Sequence, residues 1–208
     1  MAFTDYTALK STIADYLARS DLTTQIPDFI TLAENRLRRD VRIRAMLKVV
    51  TASTTASDPT VSIPSDFLEM RDLHIDANPI QTLIYENPSN FFRNAKAGTL
   101  TGGYPNNYTI MGSEFQFAPI PDAEYTLKMV YYAAPAYLSS TNSSNVFLAN
   151  CPDLLLYASL GEAEPYLMND ARITTWATLY DRGLDSLTQS NDAGENPSAP
   201  MVMSVATR

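Results

Sequence analysis

Apolar residues recur at helical spacing near both ends of this chain, whereas the centre has the composition of a sheet. In the segments 5–19 and 26–42, and again after residue 152, they fall three or four positions apart, which places them on one face of a helix. The residues of these stripes are, in chain order, Tyr6, Leu9, Ile13, Tyr16 and Leu17; Ile26, Ile30, Ala33, Leu37 and Val41; and Ile173, Trp176, Ala177, Tyr180, Leu184 and Leu187. Each stripe must be buried against another element, so the two ends of the chain are predicted to pack together.

Capping and helix-breaking residues predict where the helices begin and end. Thr4 is in place to cap the first helix, and Pro27 suits the first turn of the second. If the second helix continued beyond Ile43, it would bring Arg44 onto its apolar face, so we expect it to end near that point. Pro165 is expected to end or kink the helix that contains it near its last turn.

The central residues 44–145 are rich in β-branched and aromatic residues and contain Pro and Gly turns, which is typical of strands. The clearest hairpin turns at Gly112-Ser113, where a two-residue type II′ turn would pair Tyr108 with Phe117 and Ile110 with Phe115. Further expected elements are strands at 69–75 and 125–132 and a short helix at 88–95.

These patterns together predict an α+β fold. The N- and C-terminal helices are expected to form an antiparallel helical bundle, with an antiparallel β-rich lobe inserted between them. The bundle is expected from residues 1–43 and 146–189, the lobe from 44–145, and a flexible C-terminal tail from 190–208. The tail carries an apolar patch at Met201, Val202 and Met203.

Composition argues against several classes of function. The single cysteine excludes an intrachain disulfide, and one cysteine with one histidine makes no zinc ligand set. No phosphate-binding glycine motif occurs, so we expect neither a cofactor nor a metal. The first residues lack a signal-peptide pattern and no stretch approaches the about 18 apolar residues of a membrane span, so a cytosolic origin without a membrane contact is expected.

The remaining reactive side chains have structural interpretations. We expect His74 to be a surface or hydrogen-bonded core histidine of a strand, and Cys151 to be a buried thiol. A glycosidase-like hydrolase needs two carboxylates across a cleft, but any acidic chain offers such pairs. We interpret Asp66 as a local cap, and Glu162 and Glu164 as residues of a helix surface. No enzymatic activity is therefore expected.

An arginine-rich segment stands out in an otherwise acidic chain. Its arginines are Arg36, Arg38, Arg39, Arg42 and Arg44. With Asp40 the segment carries +4, so in a chain of net charge −8 the other residues together carry −12. Such a local asymmetry marks a charged contact with nucleic acid, with a partner or with the protein's own acids.

Helical spacing divides these arginines into two groups. Glu34 is placed to pair with Arg38, and Arg36 with its own i+4 acid, whereas Arg39 and Arg42 have no acid three or four positions away. These two must face water, acids elsewhere or phosphates. Because two or three arginines give little phosphate affinity in a chain of this charge, carboxylates of another element or subunit fit better.

Three stretches of the sequence, taken in order, resemble a known family. They are Ala33-Glu34-Asn35-Arg36-Leu37-Arg38-Arg39-Asp40; Ile63-Pro64-Ser65-Asp66-Phe67-Leu68-Glu69-Met70-Arg71; and Cys151-Pro152-Asp153-Leu154-Leu155-Leu156-Tyr157 followed by Glu162-Ala163-Glu164-Pro165-Tyr166-Leu167. Their order and spacing, over about residues 5–190, resemble the head-to-tail adaptor proteins of short-tailed bacteriophages, the tail tubular protein A group.

The resemblance implies a structural virion protein without enzymatic activity. In that family the subunits form a dodecameric ring beneath the portal protein, around the DNA channel, and present a platform for nozzle and fibre proteins. It implies a place at the head-tail junction of a virion assembled in the host cytoplasm, with genomic DNA passing and not bound by sequence. Arg38, Arg39 and Arg42 would then contact a neighbouring subunit or partner, and Met201, Val202 and Met203 would dock on the portal.

One alternative stays open. A DNA-packaging accessory protein would bind nucleic acid through the arginine face, and its DNA affinity would fall steeply with salt.

Overall fold

A computed structural model describes residues 3–94, 102–168 and 170–195, so Met201, Val202 and Met203 lie outside the described residues. Within them the chain is α+β, as predicted. The helices are α1 Tyr6–Leu17, α2 Ile26–Asp40, α3 Pro88–Asn94, α4 Val146–Asn150, α5 Pro152–Tyr166 and α6 Asp170–Glu195. The strands are β1 Leu47–Ser53, β2 Thr60–Ser62, β3 Phe67–Ile75, β4 Gln81–Thr82, β5 Ile84–Tyr85, β6 Asn107–Met111, β7 Glu114–Ala118 and β8 Thr126–Ala133. Two compact units result, one of Met46–Ala134 and one of the chain before and after it.

Helix α5 is the centre of the helical unit. It contacts α1, α2, α4 and α6, and buried residues occur all around it. A helix that is apolar on every side is stable only when neighbours surround it, which matches the run Leu154-Leu155-Leu156. Gly183 of α6 permits a close approach, because a Cβ there would lie 2.7 Å from Leu154 Cδ2.

Side-chain caps set the ends of the N-terminal helices. Asp5, and not Thr4, caps α1, since its carboxylate accepts a hydrogen bond from the Ala8 N–H at 2.8 Å. Pro27 lies in the first turn of α2, as predicted. Helix α2 ends at Asp40, three residues earlier than expected, because Val41 is already extended.

The long loop after β8 belongs with the helices. The helical unit resumes at Pro135, and the loop leads into the short helix α4, which Asn145 caps by accepting a hydrogen bond from the Leu148 N–H at 3.0 Å. The sequence patterns had not predicted α4. At the other end, α6 runs to Glu195 and so includes six residues of the segment that we expected to be a flexible tail.

The β unit contains two four-stranded sheets. Their strand orders are β1-β8-β3-β4 and β2-β7-β6-β5. All pairings are antiparallel except the two-residue pair β5–β6, which is parallel. The chain passes from one sheet to the other at Leu83, between β4 and β5, and the Leu83 N–H donates to the Leu73 carbonyl at 2.9 Å.

The predicted hairpin is confirmed with its register. Tyr108 pairs with Phe117 and Ile110 with Phe115. Gly112 has a φ of 61°, and Ser113 is not in the positive-φ region. A type I′ turn would need positive φ at both residues, so the turn is type II′, as predicted. The apolar core of this unit consists of Leu73, Ile75, Leu83, Tyr108, Phe115, Phe117, Leu127, Met129 and Tyr131.

Candidate functional site

Arg36 lies in a contact at the C-terminal end of α2. Its Nε is 3.7 Å from Asp40 Oδ2, so the predicted i,i+4 pair is confirmed. The guanidinium lies 4.2 Å from the centre of the Tyr180 ring, and the Tyr180 hydroxyl donates to the same Asp40 oxygen at 2.8 Å. Burial, and then the hydrogen bond to Asp40, raise the pKa of Tyr180. The three side chains join α2 to α6.

Arg38 is held by the loop that follows β8. Its guanidinium lies 3.6 Å from the centre of the Tyr137 ring, and its Nη2 donates to the Pro135 carbonyl. Its buried Nε has no hydrogen-bond partner within the described residues. The predicted hydrogen-bonded pair with Glu34 is therefore replaced by a bond to a carbonyl, although the positive charge of Arg38 still acts on Glu34.

Glu34 is only 1 % exposed and is the polar centre of this contact. Its carboxylate accepts hydrogen bonds from the Leu138 N–H at 3.0 Å and from Asn145 Nδ2 at 2.6 Å. Burial raises the pKa of Glu34, and the bonds from Leu138 and Asn145 and the charge of Arg38 oppose that shift. Helical spacing places Glu34 on the same face of α2 as the buried Ile30 and Leu37, and this spacing is the sequence signal from which its burial could be predicted.

Arg42 and Arg44 lie beyond α2. Arg42 was expected on the helix, but it follows the last helical residue, and its Nη1 donates to the carbonyls of Arg38 and Val41 at 2.8 Å each. Arg42 thus supplies a hydrogen-bond donor to carbonyls that have no intrahelical donor at the end of the helix. Arg44 lies beyond the helix, as predicted. Its N–H donates to Asn191 Oδ1 at 2.8 Å and its Nη1 to the Gly194 carbonyl at 3.3 Å, contacts that tie it to the last turns of α6.

Arg39 differs from the other four arginines. It is exposed, and among the described residues it has no hydrogen-bond or ion-pair partner. Beside it on α2 lie Leu32, which is 49 % exposed, and Asn35, whose Oδ1 accepts a hydrogen bond from the Tyr137 hydroxyl at 2.6 Å. We call Leu32, Asn35, Arg39 and Tyr137 the Arg39 face.

The other reactive residues lie apart from this face. His74 Nδ1 lies 2.6 Å from Asp72 Oδ2, so it is a hydrogen-bonded histidine as expected. Cys151 is a buried free thiol, and burial, with a smaller effect of Asp153, raises its pKa to about 12. A thiol with that pKa is a poor nucleophile at neutral pH. Within the described ranges, no cluster of three or more metal-ligating side chains occurs.

Two carboxylates have roles that the sequence did not indicate. Asp66 does not act as a local cap through its side chain, because its oxygens accept from Lys48 Nζ at 2.6 Å and the Tyr131 hydroxyl at 2.7 Å. Glu164 is not a surface residue: it is fully buried, and its Oε1 accepts from Trp176 Nε1 at 2.9 Å. Arg172 Nη1 lies 4.0 Å from the same oxygen.

In the part of the chain that the structure describes, no helix combines the length and the apolar character needed to cross a bilayer.

The fold is α+β, and of the arginine segment Arg39 alone is exposed without a partner among the described residues. The model of the SU10 adaptor protein family matches residues 4–204, so the chain belongs to that family, a family of phage head-to-tail adaptors. The suspected adaptor resemblance is thereby confirmed, and the chain is a structural adaptor component of a phage virion. No curated protein matches the chain significantly.

Proposed function

We propose that this chain is a subunit of a ring that joins the portal protein to the tail nozzle and fibre proteins, around the channel through which DNA leaves the head. The family match over residues 4–204 is the observation that carries the proposal. A connector of this kind needs packed cores and contact surfaces, with no catalytic group. The buried thiol of Cys151 and the internally bonded His74 fit such a role.

In this proposal the helical unit is an antiparallel bundle, and the β-rich lobe is an insertion in its sequence. The central position of α5 among α1, α2, α4 and α6 supports a bundle. The insertion follows from the chain order, since Met46–Ala134 interrupts the helical unit.

The charge of the chain suits a channel through which DNA slides. A net charge of −8 keeps the wall from attracting phosphates, so the genome passes without being bound. The alternative, DNA binding through the arginines, loses support because Arg36, Arg38, Arg42 and Arg44 are all engaged in protein contacts. One exposed arginine, Arg39, supplies little phosphate affinity.

Ring closure needs a head-to-tail interface that repeats between identical subunits, here in a dodecamer. Arg38, Arg39 and Arg42 are the residues proposed for this contact. We propose different parts for them. Arg39 would contact the neighbour, which its exposure supports, whereas Arg38 and Arg42 would fix the end of α2 and the loop after β8 that contains Tyr137, here called the Tyr137 loop.

The C-terminal segment is proposed to dock on the portal through Met201, Val202 and Met203. Insertion of a short apolar segment into a groove of a partner is a common recognition mode. Assembly in the host cytoplasm before incorporation into the virion completes the proposal.

Negative-stain microscopy of the chain mixed with purified portal rings tests the joining role. We expect a second, dodecameric ring stacked on the portal. Chains that stay monomeric and do not bind the portal rings would contradict the proposal. A DNA-binding assay in the same buffers is expected to show negligible affinity, and salt-sensitive affinity lost in Arg39→Glu plus Arg42→Glu would favour the packaging alternative.

A test of the docking segment requires a truncation that leaves α6 intact. Removal of residues after Glu195 keeps Asn191 and Gly194, which hold Arg44. We expect this truncation, and the triple change of Met201, Val202 and Met203 to Ser, to abolish portal binding. Unchanged portal binding by either variant would refute the assignment of the tail.

A further inference from the structure

The helical unit presents two exposed faces of opposite charge. One is the Arg39 face. The other lies on α6, where Asp181 and Asp185 are one turn apart and exposed, and have no hydrogen-bond or ion-pair partner among the described residues. We call Asp181 and Asp185 the acidic face. Arg182 is exposed beside them, and the two carboxylates outnumber it, so the face is net negative.

The Arg39 face has the composition of a binding surface. At 100° per residue, Leu32, Asn35 and Arg39 fall within about 60° of one another, on the side of α2 opposite its buried stripe. Tyr137, 41 % exposed, adds an aromatic ring that is fixed from below by Arg38 and along its edge by Asn35. Arginine and tyrosine are the residues most enriched at the centres of protein interfaces, and a pre-fixed ring loses little entropy on binding.

A surface groove lies beside the acidic face and could hold an apolar side chain of the Arg39 face. A shallow groove of about 290 Å³ lies on the same helix, lined by Thr174, Thr175, Thr178, Leu179 and Arg182. A groove of this size accepts a side chain such as that of Leu32, which is half exposed on the Arg39 face. The carboxylates next to it suit the planar donors of a guanidinium.

The two faces cannot meet within one copy. The side of α6 that faces α2 is the side of Tyr180, whose hydroxyl binds Asp40. Helical geometry turns Asp181 and Asp185 away from Tyr180 by about 100° and 140°. The Arg39 face likewise points away from the stripe of α2 that packs on α5. Complementary charges on two different surfaces of one unit can pair only between copies, head to tail.

We infer that the Arg39 face of one copy binds the acidic face of the next, with Arg39 paired to Asp181 and Asp185 and Leu32 in the adjacent groove. The inference rests on the proposed ring, for which it names the contact. In such an assembly the copy at one end has a free Arg39 face and the copy at the other end has a free acidic face. Further copies can therefore be added until the ring closes.

Charge exchange tests the pairing in the full-length chain, with self-association measured by sedimentation at about 0.05 M salt, where surface charges are weakly screened. Arg39→Asp is expected to weaken self-association by about tenfold or more. The double change Asp181→Arg with Asp185→Arg is expected to do the same. The chain carrying all three changes is expected to associate again, because both charges are reversed together.

Mixing the two defective variants gives the sharpest result. The Arg39→Asp chain has two acidic faces, and the Asp181→Arg/Asp185→Arg chain has two basic faces. Neither associates with itself, yet an equimolar mixture is expected to form alternating assemblies of one-to-one composition. Association of the mixture would show that both variants are folded, because mixing cannot repair a folding defect. A mixture that stays dissociated, although each variant keeps the circular dichroism spectrum of the wild-type chain, overturns the inference.

Controls of equal charge change lie in the other unit. Arg93→Asp in α3, and Glu114→Lys in β7 combined with Glu124→Lys, alter exposed residues and are expected to leave association unchanged. If the wild-type chain forms rings on portal and both single-face variants do so equally well, this contact is wrong and the proposed ring stands. If the wild-type chain neither associates nor binds portal, both proposals fail.

Discussion

The helical unit and the β unit bury different kinds of side chain. The helical unit encloses two carboxylates, Glu34 and Glu164, at 1 % and 0 % exposure. The described core of the β unit is apolar and aromatic, and its carboxylate contacts, such as those of Asp66, lie at its margin. The β unit is therefore specified by volume and strand register, whereas the helical unit also depends on a few buried carboxyl groups that must each find a hydrogen-bond partner.

The largest expected effect comes from removing volume in the β unit. Phe115 is fully buried between Phe67 and Tyr108, with ring centres 5.8 Å and 6.1 Å away. We expect Phe115→Ala to lower the free energy of unfolding by about 4 kcal/mol, because the cavity cannot collapse. Urea denaturation measures the loss. Phe92→Ala, at a half-exposed ring of α3, is the control and should cost less than about 1 kcal/mol; equal losses would contradict the volume argument.

Removing a buried carboxyl group should destabilise the helical unit almost as strongly. Glu164→Ala leaves the Trp176 Nε1–H without its acceptor, and we expect a loss of about 3 kcal/mol. Trp176 is the single tryptophan, so its fluorescence should shift to longer wavelength as water reaches the indole. Glu164→Gln keeps an acceptor and should lose less. If Glu162→Ala, on the same helix, proved as damaging, burial of Glu164 would not be the cause.

The third prediction uses the raised pKa of Glu34. A folded-state pKa above the unfolded value means that the native protein holds its proton longer, so the contribution of Glu34 to stability declines as pH rises through the folded pKa. We expect Glu34→Gln to cost about 1 kcal/mol near pH 4, because the amide NH2 would replace Oε2, which the Leu138 N–H approaches at 3.3 Å, and would set two donors against each other. The difference between wild type and variant should shrink from about pH 4 to 7. A difference that grows with pH would contradict this setting of the carboxylate.

The contribution of Asp66 in the β unit to stability should depend on pH in the opposite direction to that of Glu34. Burial acts to raise its pKa, but the hydrogen bonds from Lys48 and Tyr131 outweigh burial, and the net shift is downward. A lowered folded pKa contributes stability above the unfolded value, and that stability is lost as pH falls through the folded pKa. Asp66→Asn should cost about 1 kcal/mol at neutral pH. The cost should vanish between about pH 4 and 2, and at neutral pH it should be smaller in a Tyr131→Phe background.

The same contrast explains what the sequence could predict. The hairpin at Gly112 was predictable with its pairs, because turn chemistry and a two-residue period are local. Pro27 in the first turn of α2 and the Arg36–Asp40 pair followed equally from helical spacing. Signals that act within four residues were sufficient for these features.

The failures concern contacts between distant segments. Glu164 reads as a surface residue until Trp176, twelve positions later, folds onto it. The end of α6 reads as a tail because its turns are held by Arg44, about 150 positions earlier in the chain. Arg42, by contrast, is a local failure: the helix was continued past Asp40 on spacing alone, whereas Val41 is already extended and Arg42 donates to the carbonyls of Arg38 and Val41.

The arginine segment combines both lessons. Its concentration of charge is visible in the sequence, and its division into engaged residues and one exposed residue, Arg39, is not. What looked like a charged face is mainly a set of internal contacts that orders the end of α2, the Tyr137 loop and the end of α6.

Native mass spectrometry of the full-length chain with portal rings tests the central claim most directly. A ring connector predicts a complex with twelve copies of the chain per portal ring, and an Arg39→Asp chain should leave that complex incomplete. Wild-type chains that remain monomeric beside intact portal rings would contradict the account.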